Sequence, residues 1–249
     1  MNIEDKITAI SSNNSKIAEN QQKIYDKGLG DGAKNEYDKF WNGFQNFGNR
    51  TGYDKAFQYW GAEYIEPKHK IVPTSAASYL FAYNENLKAI YKKDFDLSGV
   101  PYATTWNSGI YGLCRECKSL EYFEDINIQP NLHIGYMFYL CSKLKKIEML
   151  RVDENTQFNG TFHFCNALEE IYFDGIIASR GNNNNTFSFP HSTKLKKECV
   201  LRIFEDNLKD FSGTDLTANI GFTREVVNQL TDTEKAIATQ KGWSIYISN

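Results

Sequence analysis

The sequence lacks a long apolar run and any excess of positive charge. No stretch approaches the ~20 apolar residues that span a bilayer, and the opening MNIEDKITAISSNN has no apolar core of the kind a secretory signal needs. The net charge is −3, and Lys and Arg alternate with Asp and Glu throughout. We therefore expect no membrane insertion, no export by the general secretory route and no nucleic-acid partner.

Motifs of catalysis and metal binding are also lacking. The chain has no GxSxG, no glycine-rich phosphate loop, no HExxH and no EF-hand loop. Cys114 and Cys117 form a CxxC, but no second CxxC or HxxxH completes a tetrahedral zinc site. A Cys–His pair such as Cys165 with His163 stays open as an alternative, because such partners meet in space rather than in sequence. We expect no enzyme activity, no cofactor and no metal site. The four histidines are scattered: His69, His133, His163 and His191.

One short pattern recurs five times between Tyr79 and Leu201. It consists of an aromatic residue or Cys, then Asn, Cys or Ser three residues on, then Leu, then Ile or Phe. Its second positions are 33, 24, 24 and 27 residues apart, around the period of leucine-rich solenoids. The copies are Phe81, Asn84, Leu87, Ile90; Cys114, Cys117, Leu120, Phe123; Phe138, Cys141, Leu144, Ile147; Phe162, Cys165, Leu168, Ile171; and Phe189, Ser192, Leu195, with Glu198 where Ile is expected.

The pattern also accounts for four of the five cysteines. An odd number of cysteines in a chain of this size does not indicate a disulfide framework. A small apolar thiol suits a tight inward turn. We therefore interpret as reduced core residues Cys114, Cys117, Cys141 and Cys165.

The two best copies, MFYLCSKLKKIEM and TFHFCNALEEIYF, resemble the BspA-like branch of the leucine-rich repeats. The segments FWNGFQNFGNRT (residues 40–51) and ATQKGW (residues 238–243) are similar to repeat proteins encoded in phages and prophages of anaerobic gut Firmicutes. The resemblance covers about half of the chain. It implies a fold more than an activity, and members of the family with an assigned role adhere to surfaces or bind partners.

Residues 3 to 28 carry a heptad seam, in which successive members are separated alternately by four and three residues. Seams rich in Ile favour more than two strands, and polar seam residues fix the register. We predict a coiled-coil stalk that forms a homotrimer; the alternative is a single amphipathic helix packed on the repeats. The oligomerisation residues are Ile3, Ile7, Ile10, Asn14, Ile17, Gln21 and Ile24.

The segments before and after the repeats differ from them in composition and spacing. Three glycines in GLGDG (residues 28–32) end the first helix, and the dense aromatics from Tyr37 to Tyr64 predict an N-terminal cap, with a carbohydrate-stacking platform as the alternative. Towards the C-terminus, helical spacing predicts helices over 196–211, 223–230 and 231–240, and WSIYI is predicted to be a strand. Thr231 and Glu234 are predicted to form a capping box.

A predicted strand in each copy places a row of side chains on one face. Alternation predicts Ile147 and Met149 inward with Glu148 outward, and Ile171 and Phe173 inward with Tyr172 outward. Stacking the copies in register lines up the residues that we predict to bind a ligand: Tyr91, Glu124, Glu148 and Tyr172.

Together these features predict an α/β fold, a leucine-rich-repeat solenoid with an N-terminal coiled-coil helix and a helical C-terminal cap. The expected domains are a stalk (1–28), a glycine hinge and aromatic cap (29–72), the solenoid (73–211) and the C-terminal cap (212–249). The expected function is non-enzymatic binding in a phage virion, as a tail or receptor-binding component that contacts other virion proteins and a bacterial surface receptor. The alternative is a bacterial adhesin or host-interaction protein, located in the cytoplasm or at the cell surface by a non-classical route.

Overall fold

The computed structural model describes residues 56–67, 70–103, 109–131, 133–178 and 187–248. The predicted seam from Ile3 to Ile24 lies outside these residues, as do positions 29–55 of the predicted hinge and cap. In chain order the described elements are β1 (Ala89–Ile90), β2 (Tyr122–Phe123), β3 (Lys146–Arg151), β4 (Glu170–Asp174), β5 (Phe187–Phe189), α1 (Lys197–Arg202), a π-helical turn (Ile203–Asn207), β6 (Ala218–Phe222), α2 (Arg224–Val227), α3 (Asp232–Gln240) and β7 (Trp243–Ile247).

The strands form two separate parallel sheets, one in the order β1-β2-β3-β4 and the other in the order β5-β6-β7. In the first sheet Phe123 pairs with Ile90 on one side and with Ile147 on the other. Ile147 pairs in turn with Ile171. The last positions of four copies of the pattern therefore lie side by side across this sheet.

The predicted fold class is wrong. The described residues contain neither a repeat solenoid nor a coiled coil. The ladder of strands that a solenoid needs is broken between β4 and β5, and the fifth copy of the pattern contributes its strand to the second sheet. The C-terminal part is not a helical cap, since it contributes β6 and β7 to that sheet. A charged side chain explains the break: Glu198 stands where the core needs Ile, and the chain there enters α1 instead of a strand.

The inward residues of β3 also differ from the prediction. Leu150 is buried together with Ile147, whereas Met149 is partly exposed. The register between β3 and β4 shifts between Ile147 and Leu150, and a bulge of this kind interrupts the strict alternation of a strand. In β4 the predicted alternation of buried and partly exposed residues is correct.

One hydrophobic core nevertheless runs through both sheets. Rings of equivalent copies stack face to face, with centroids 6.3 Å apart for Phe138 and Phe162 and 4.7 Å apart for Phe162 and Phe189. Phe189 stacks in turn on Phe222 of β6 at 5.5 Å. Full burial of each such side chain contributes about 1.5–3 kcal/mol to the stability of the fold. The two sheets share no hydrogen-bonded strand pair, so packing in this core is what joins them.

Near the C-terminus the predicted helices over 196–211 and 223–230 are shorter than expected, whereas the predicted helix over 231–240 is confirmed as α3 with Thr231 as its N-cap. The predicted helix over 196–211 is α1 followed by the π-helical turn. The capping box of α3 is confirmed, since the Glu234 N–H donates to Thr231 Oγ1 (3.2 Å) and the Thr231 N–H donates to Glu234 Oε2 (2.7 Å). The strand WSIYI is confirmed as β7. Within the described ranges, no helix has the length and apolar character that crossing a membrane requires.

Candidate functional site

The turns that precede the strands are joined by a ladder of backbone hydrogen bonds of their own. The N–H of Tyr83 donates to the carbonyl of Arg115 (2.7 Å), and the N–H of Glu116 donates to the carbonyl of Tyr139 (2.7 Å). The N–H of Leu140 continues the ladder to the carbonyl of His163 (2.9 Å). Equivalent turns are therefore held in register, and their side chains are aligned in rows.

These turns place bulky residues in the left-handed region of backbone conformation. The φ angle is 59° at Tyr59, 61° at Tyr83 and 62° at Phe164, and it is 61° at both Glu116 and Leu140. A residue with a Cβ is less stable in this conformation by roughly 1–2 kcal/mol. The same strained position thus recurs from turn to turn, and at three of its five occurrences an aromatic side chain occupies it.

A second left-handed row alternates tyrosine and glycine. Its members are Tyr79 (φ 56°), Gly112 (φ 61°), Tyr136 (φ 55°) and Gly160 (φ 65°). A Cβ added at Gly112 would lie 2.7 Å from the Tyr79 ring, and one added at Gly160 would lie 3.0 Å from the Tyr136 ring. The ring of the tyrosine in the preceding turn therefore occupies the space that a side chain at each glycine would fill.

Partly exposed rings on these turns form a continuous surface, which we call the aromatic ridge. Tyr59 stacks on Tyr83 with ring centroids 5.0 Å apart. Tyr139 contacts Phe164 at 5.6 Å, and Phe164 stacks on His191 at 4.1 Å. The ridge consists of Tyr59, Tyr83, Tyr136, Tyr139, Phe164 and His191, with Arg115 and Glu116 at its centre.

The Arg115 guanidinium is held among three tyrosine rings of the ridge. It lies 5.2 Å from the centre of the Tyr139 ring and 5.5 Å from that of Tyr136. The Tyr83 ring lies 5.9 Å away, and Arg115 Nε donates to Glu116 Oε1 at 3.2 Å. Burial acts to lower the pKa of Arg115, but Tyr83 and the hydrogen bond to Glu116 outweigh it, so the pKa is raised. The guanidinium is therefore charged and held in a defined orientation.

His191 closes one end of the ridge as a neutral imidazole. The backbone N–H of Phe164 donates to His191 Nδ1 at 3.2 Å. An accepting Nδ1 carries no proton, which places the ring proton on Nε2. Burial lowers the pKa of His191 below its ordinary value, which favours the same neutral form. The neighbouring His163 ring lies 6.1 Å away, and its pKa is lowered by burial and then by His191.

The four predicted ligand-binding residues each lie one position beyond a paired residue of the first sheet, but they have partners within the chain. Glu124 Oε2 accepts a hydrogen bond from the Lys92 N–H (2.6 Å), and Glu148 Oε2 accepts one from the Asp125 N–H (3.1 Å). The Tyr172 ring is covered by the Arg202 guanidinium at 5.0 Å. Tyr91 lies 6.1 Å from Tyr122. Both carboxylates thus serve to join neighbouring turns.

The cysteines at repeat positions are confirmed as core residues. The Cys117 thiol donates to the carbonyl of Phe81 (3.0 Å), and the Cys141 thiol donates to that of Cys114 (3.0 Å). Cys165 continues this thiol ladder to the carbonyl of Phe138 (3.2 Å). Burial raises the pKa of Cys117 to about 12. Among the described residues, no three His, Cys, Asp or Glu side chains are grouped so as to hold a metal ion.

The ridge was not predicted, although the sequence carries a signal for part of it. Tyr83 and Phe164 each follow the repeated Phe of their copy by two residues. Arg115 and Tyr139 each follow the repeated Cys or Phe by one residue. The repeated pattern includes only the buried positions of each copy. The polar and aromatic residues one or two positions further on are not part of it, so this row was not predicted.

No protein-family model, no curated protein and no solved structure matches this chain. The resemblance to BspA-like leucine-rich repeats therefore stays a prediction from the sequence.

Proposed function

We propose that the protein is a non-enzymatic binding protein that attaches to its target through the aromatic ridge. The observation that carries this proposal is the presence of aromatic side chains at the left-handed positions Tyr59, Tyr83 and Phe164, where glycine would avoid the strain. Strained positions of this kind cluster at functional sites. Tyrosine and arginine are also enriched among the residues that dominate binding energy at interfaces.

The cysteine thiols and the His191 imidazole take part in hydrogen bonds within the chain, which supports binding rather than catalysis. The thiols of Cys117, Cys141 and Cys165 are buried and donate to backbone carbonyls, and burial raises their pKa values. A nucleophilic cysteine needs the opposite, an accessible thiol with a lowered pKa. His191, at the end of the ridge, uses Nδ1 to accept a backbone hydrogen bond.

For the biological setting, the resemblance of the sequence favours a virion component of the tail or receptor-binding type. Its partners would be a bacterial surface receptor, other virion proteins and two further copies of itself through the seam from Ile3 to Ile24. Three copies that engage one surface gain ~10²–10⁴ in avidity over a single copy. Antibody labelling of intact particles in negative stain tests this setting, and labelled cells without labelled particles would favour the adhesin instead.

The ridge itself is tested by binding of the full chain to a panel of anaerobic gut Firmicutes. Tyr139 contacts both Arg115 and Phe164, so we expect Tyr139→Ser to weaken binding at least ~10-fold, or about 1.4 kcal/mol. Tyr91→Ser is the comparison variant for the row predicted from the sequence, because Tyr91 is also a partly exposed tyrosine but follows β1 and lies outside the ridge. Thermal unfolding verifies that both variants fold. If Tyr91→Ser weakens binding and Tyr139→Ser does not, the ridge is the wrong surface.

A further inference from the structure

We infer that the ligand of the aromatic ridge is a neutral polysaccharide built from hexopyranose units. This inference rests on the proposed function, because it names the chemical class that the ridge takes. It places one sugar unit over Arg115 and Glu116 and runs the sugar chain along the rings on either side.

The centre of the ridge has hydrogen-bonding groups available for a ligand. Arg115 uses its Nε–H on Glu116 Oε1. Among the described residues, the other N–H groups of Arg115 and the second carboxylate oxygen of Glu116 have no hydrogen-bond partner. A guanidinium only donates and a carboxylate only accepts. Side by side, they match the hydroxyl groups of a sugar, each of which both donates and accepts.

An apolar surface surrounds the pair of Arg115 and Glu116. One face of a pyranose ring presents C–H groups, which pack against aromatic rings as other apolar groups do. Tyr83 and Tyr139 are partly exposed and lie on either side of the Arg115 guanidinium. A few oriented polar groups within a largely apolar, aromatic lining are the usual composition of a site for a small organic ligand.

The rings of the ridge recur along the ladder of turns. Rings follow one another at 5.6 Å from Tyr139 to Phe164 and at 4.1 Å from Phe164 to His191. On the other side of Arg115, Tyr83 and Tyr59 are 5.0 Å apart. A polymer with a short, regular repeat can contact such a row over several units, and the summed contacts compensate for weak binding of each unit.

The charges on and beside the ridge favour a neutral polymer over a charged one. The Arg115 guanidinium is paired with the Glu116 carboxylate. The nearby Lys118 forms an ion pair with Glu85 at 2.5 Å. A nucleic acid or an acidic polysaccharide needs several cationic groups to replace its counterions, and the net charge of the chain is −3.

The first test uses bacterial cells that the full chain binds. Periodate oxidation of the cells cleaves vicinal diols of sugars, so we expect it to reduce binding at least 10-fold, whereas digestion of the surface proteins with protease should leave binding unchanged. If protease abolishes binding and periodate does not, the ligand is a protein and the inference is overturned. The proposed attachment function would survive that result.

The second test measures binding of the full chain to soluble polymers by affinity electrophoresis. The probes are the neutral polysaccharides dextran, mannan and galactan and the cell-wall polysaccharide of a bound strain, with polygalacturonate and single-stranded poly(dT) as charged probes. We expect a neutral probe to retard the chain, and Arg115→Lys and Glu116→Gln each to weaken this at least 10-fold. Arg115→Lys keeps the charge but loses the planar donor arrangement.

The control and the contradictory outcomes separate the two proposals. Tyr246→Ser changes a partly exposed tyrosine of β7 outside the ridge and should be retarded as strongly as the wild type. Stronger retardation by poly(dT) or polygalacturonate, or retardation by none of the neutral probes, overturns the polysaccharide inference. If a neutral probe binds at the ridge but Tyr139→Ser still binds cells normally, the inference stands and the proposed attachment function is wrong.

Discussion

The ring of Tyr79 occupies the space that a side chain at Gly112 would need, since a Cβ built there would lie 2.7 Å from the ring. We predict that Gly112→Ala lowers the free energy of unfolding by about 2–4 kcal/mol, because left-handed strain adds to the steric overlap. Gly213→Ala is the matched control: its φ is 73°, and no atom lies within 4 Å of its Cβ position.

Urea unfolding at equilibrium measures both variants. The control should lose only the strain, about 1–2 kcal/mol. Equal losses at Gly112 and Gly213 would mean that the Tyr79 ring moves aside without cost, and that the alternation of tyrosine and glycine in this row does not stabilise the turns.

A second prediction concerns the thiol ladder. Cys141→Ala removes the hydrogen bond to the Cys114 carbonyl and leaves a small cavity, so we expect a loss of about 1–2 kcal/mol in chemical denaturation. Cys141→Ser should lose less, because a hydroxyl also donates to a carbonyl, as Ser192 does to the carbonyl of Cys165 at 3.2 Å. If Ser costs as much as Ala, the thiol hydrogen bond contributes nothing to stability.

The third prediction is a dependence of stability on pH that originates at Asp94. Burial raises the pKa of Asp94 from 3.8 to about 6, with Lys93 opposing the rise and Glu66 and Glu124 adding to it. Between these two pH values the unfolded chain releases its proton while the folded chain retains it. Stability therefore falls as the pH rises through this window, and the full penalty is present above pH 6.

Asp94→Asn removes this penalty, so we expect it to raise the free energy of unfolding by on the order of 1–2 kcal/mol at pH 7.5 and to have little effect at pH 4. Asp96→Asn should instead lower the free energy of unfolding at pH 7.5, because the ionised form of Asp96 stabilises the folded chain. Burial pushes the pKa of Asp96 up, but hydrogen bonds from Ser98 and Asn127 outweigh it and the pKa is lowered. A gain from Asp94→Asn that is as large at pH 4 as at pH 7.5 would exclude ionisation as its cause.

The fourth prediction tests the seam outside the described residues. If Ile10 and Ile17 face their counterparts in a trimer, replacing both with Lys in the full chain places charges in a buried seam. The molar mass measured by light scattering should then fall from that of three chains to that of one chain. Ser12→Lys, at a position off the seam, should leave three chains. A monomeric wild-type protein at micromolar concentration would contradict the trimer and remove its contribution to avidity.

The sequence predicted which side chains are buried better than it predicted the architecture. Leu144 and Leu168 are fully buried as expected, because the pattern records the burial of each position. A period carries no information about where hydrogen bonding between strands stops, so the break after β4 was missed. The bulge beside Met149 was also not predicted. Prediction of a strand from sequence assumes that inward and outward residues alternate strictly, and a bulge interrupts that alternation.

The candidate site was harder to predict than the core. The row Tyr91, Glu124, Glu148 and Tyr172 followed from alternation, but its carboxylates accept backbone hydrogen bonds from the next turn, which no pattern of residue types reveals. The ridge depends on left-handed backbone at residues such as Tyr83. That conformation is uncommon for residues other than glycine, so no pattern of residue types predicts that these rings lie side by side.

The parallel pairing of the strands has a consequence for how the chain folds. Partners such as Lys146 and Glu170 are 24 positions apart in the sequence, and a parallel pair cannot form through a tight hairpin. The first pair must therefore close a long loop before any contact repays the lost entropy. Each later turn adds to an edge that already exists, so we expect a single slow nucleation step in milliseconds to seconds, followed by rapid growth in both directions along the chain.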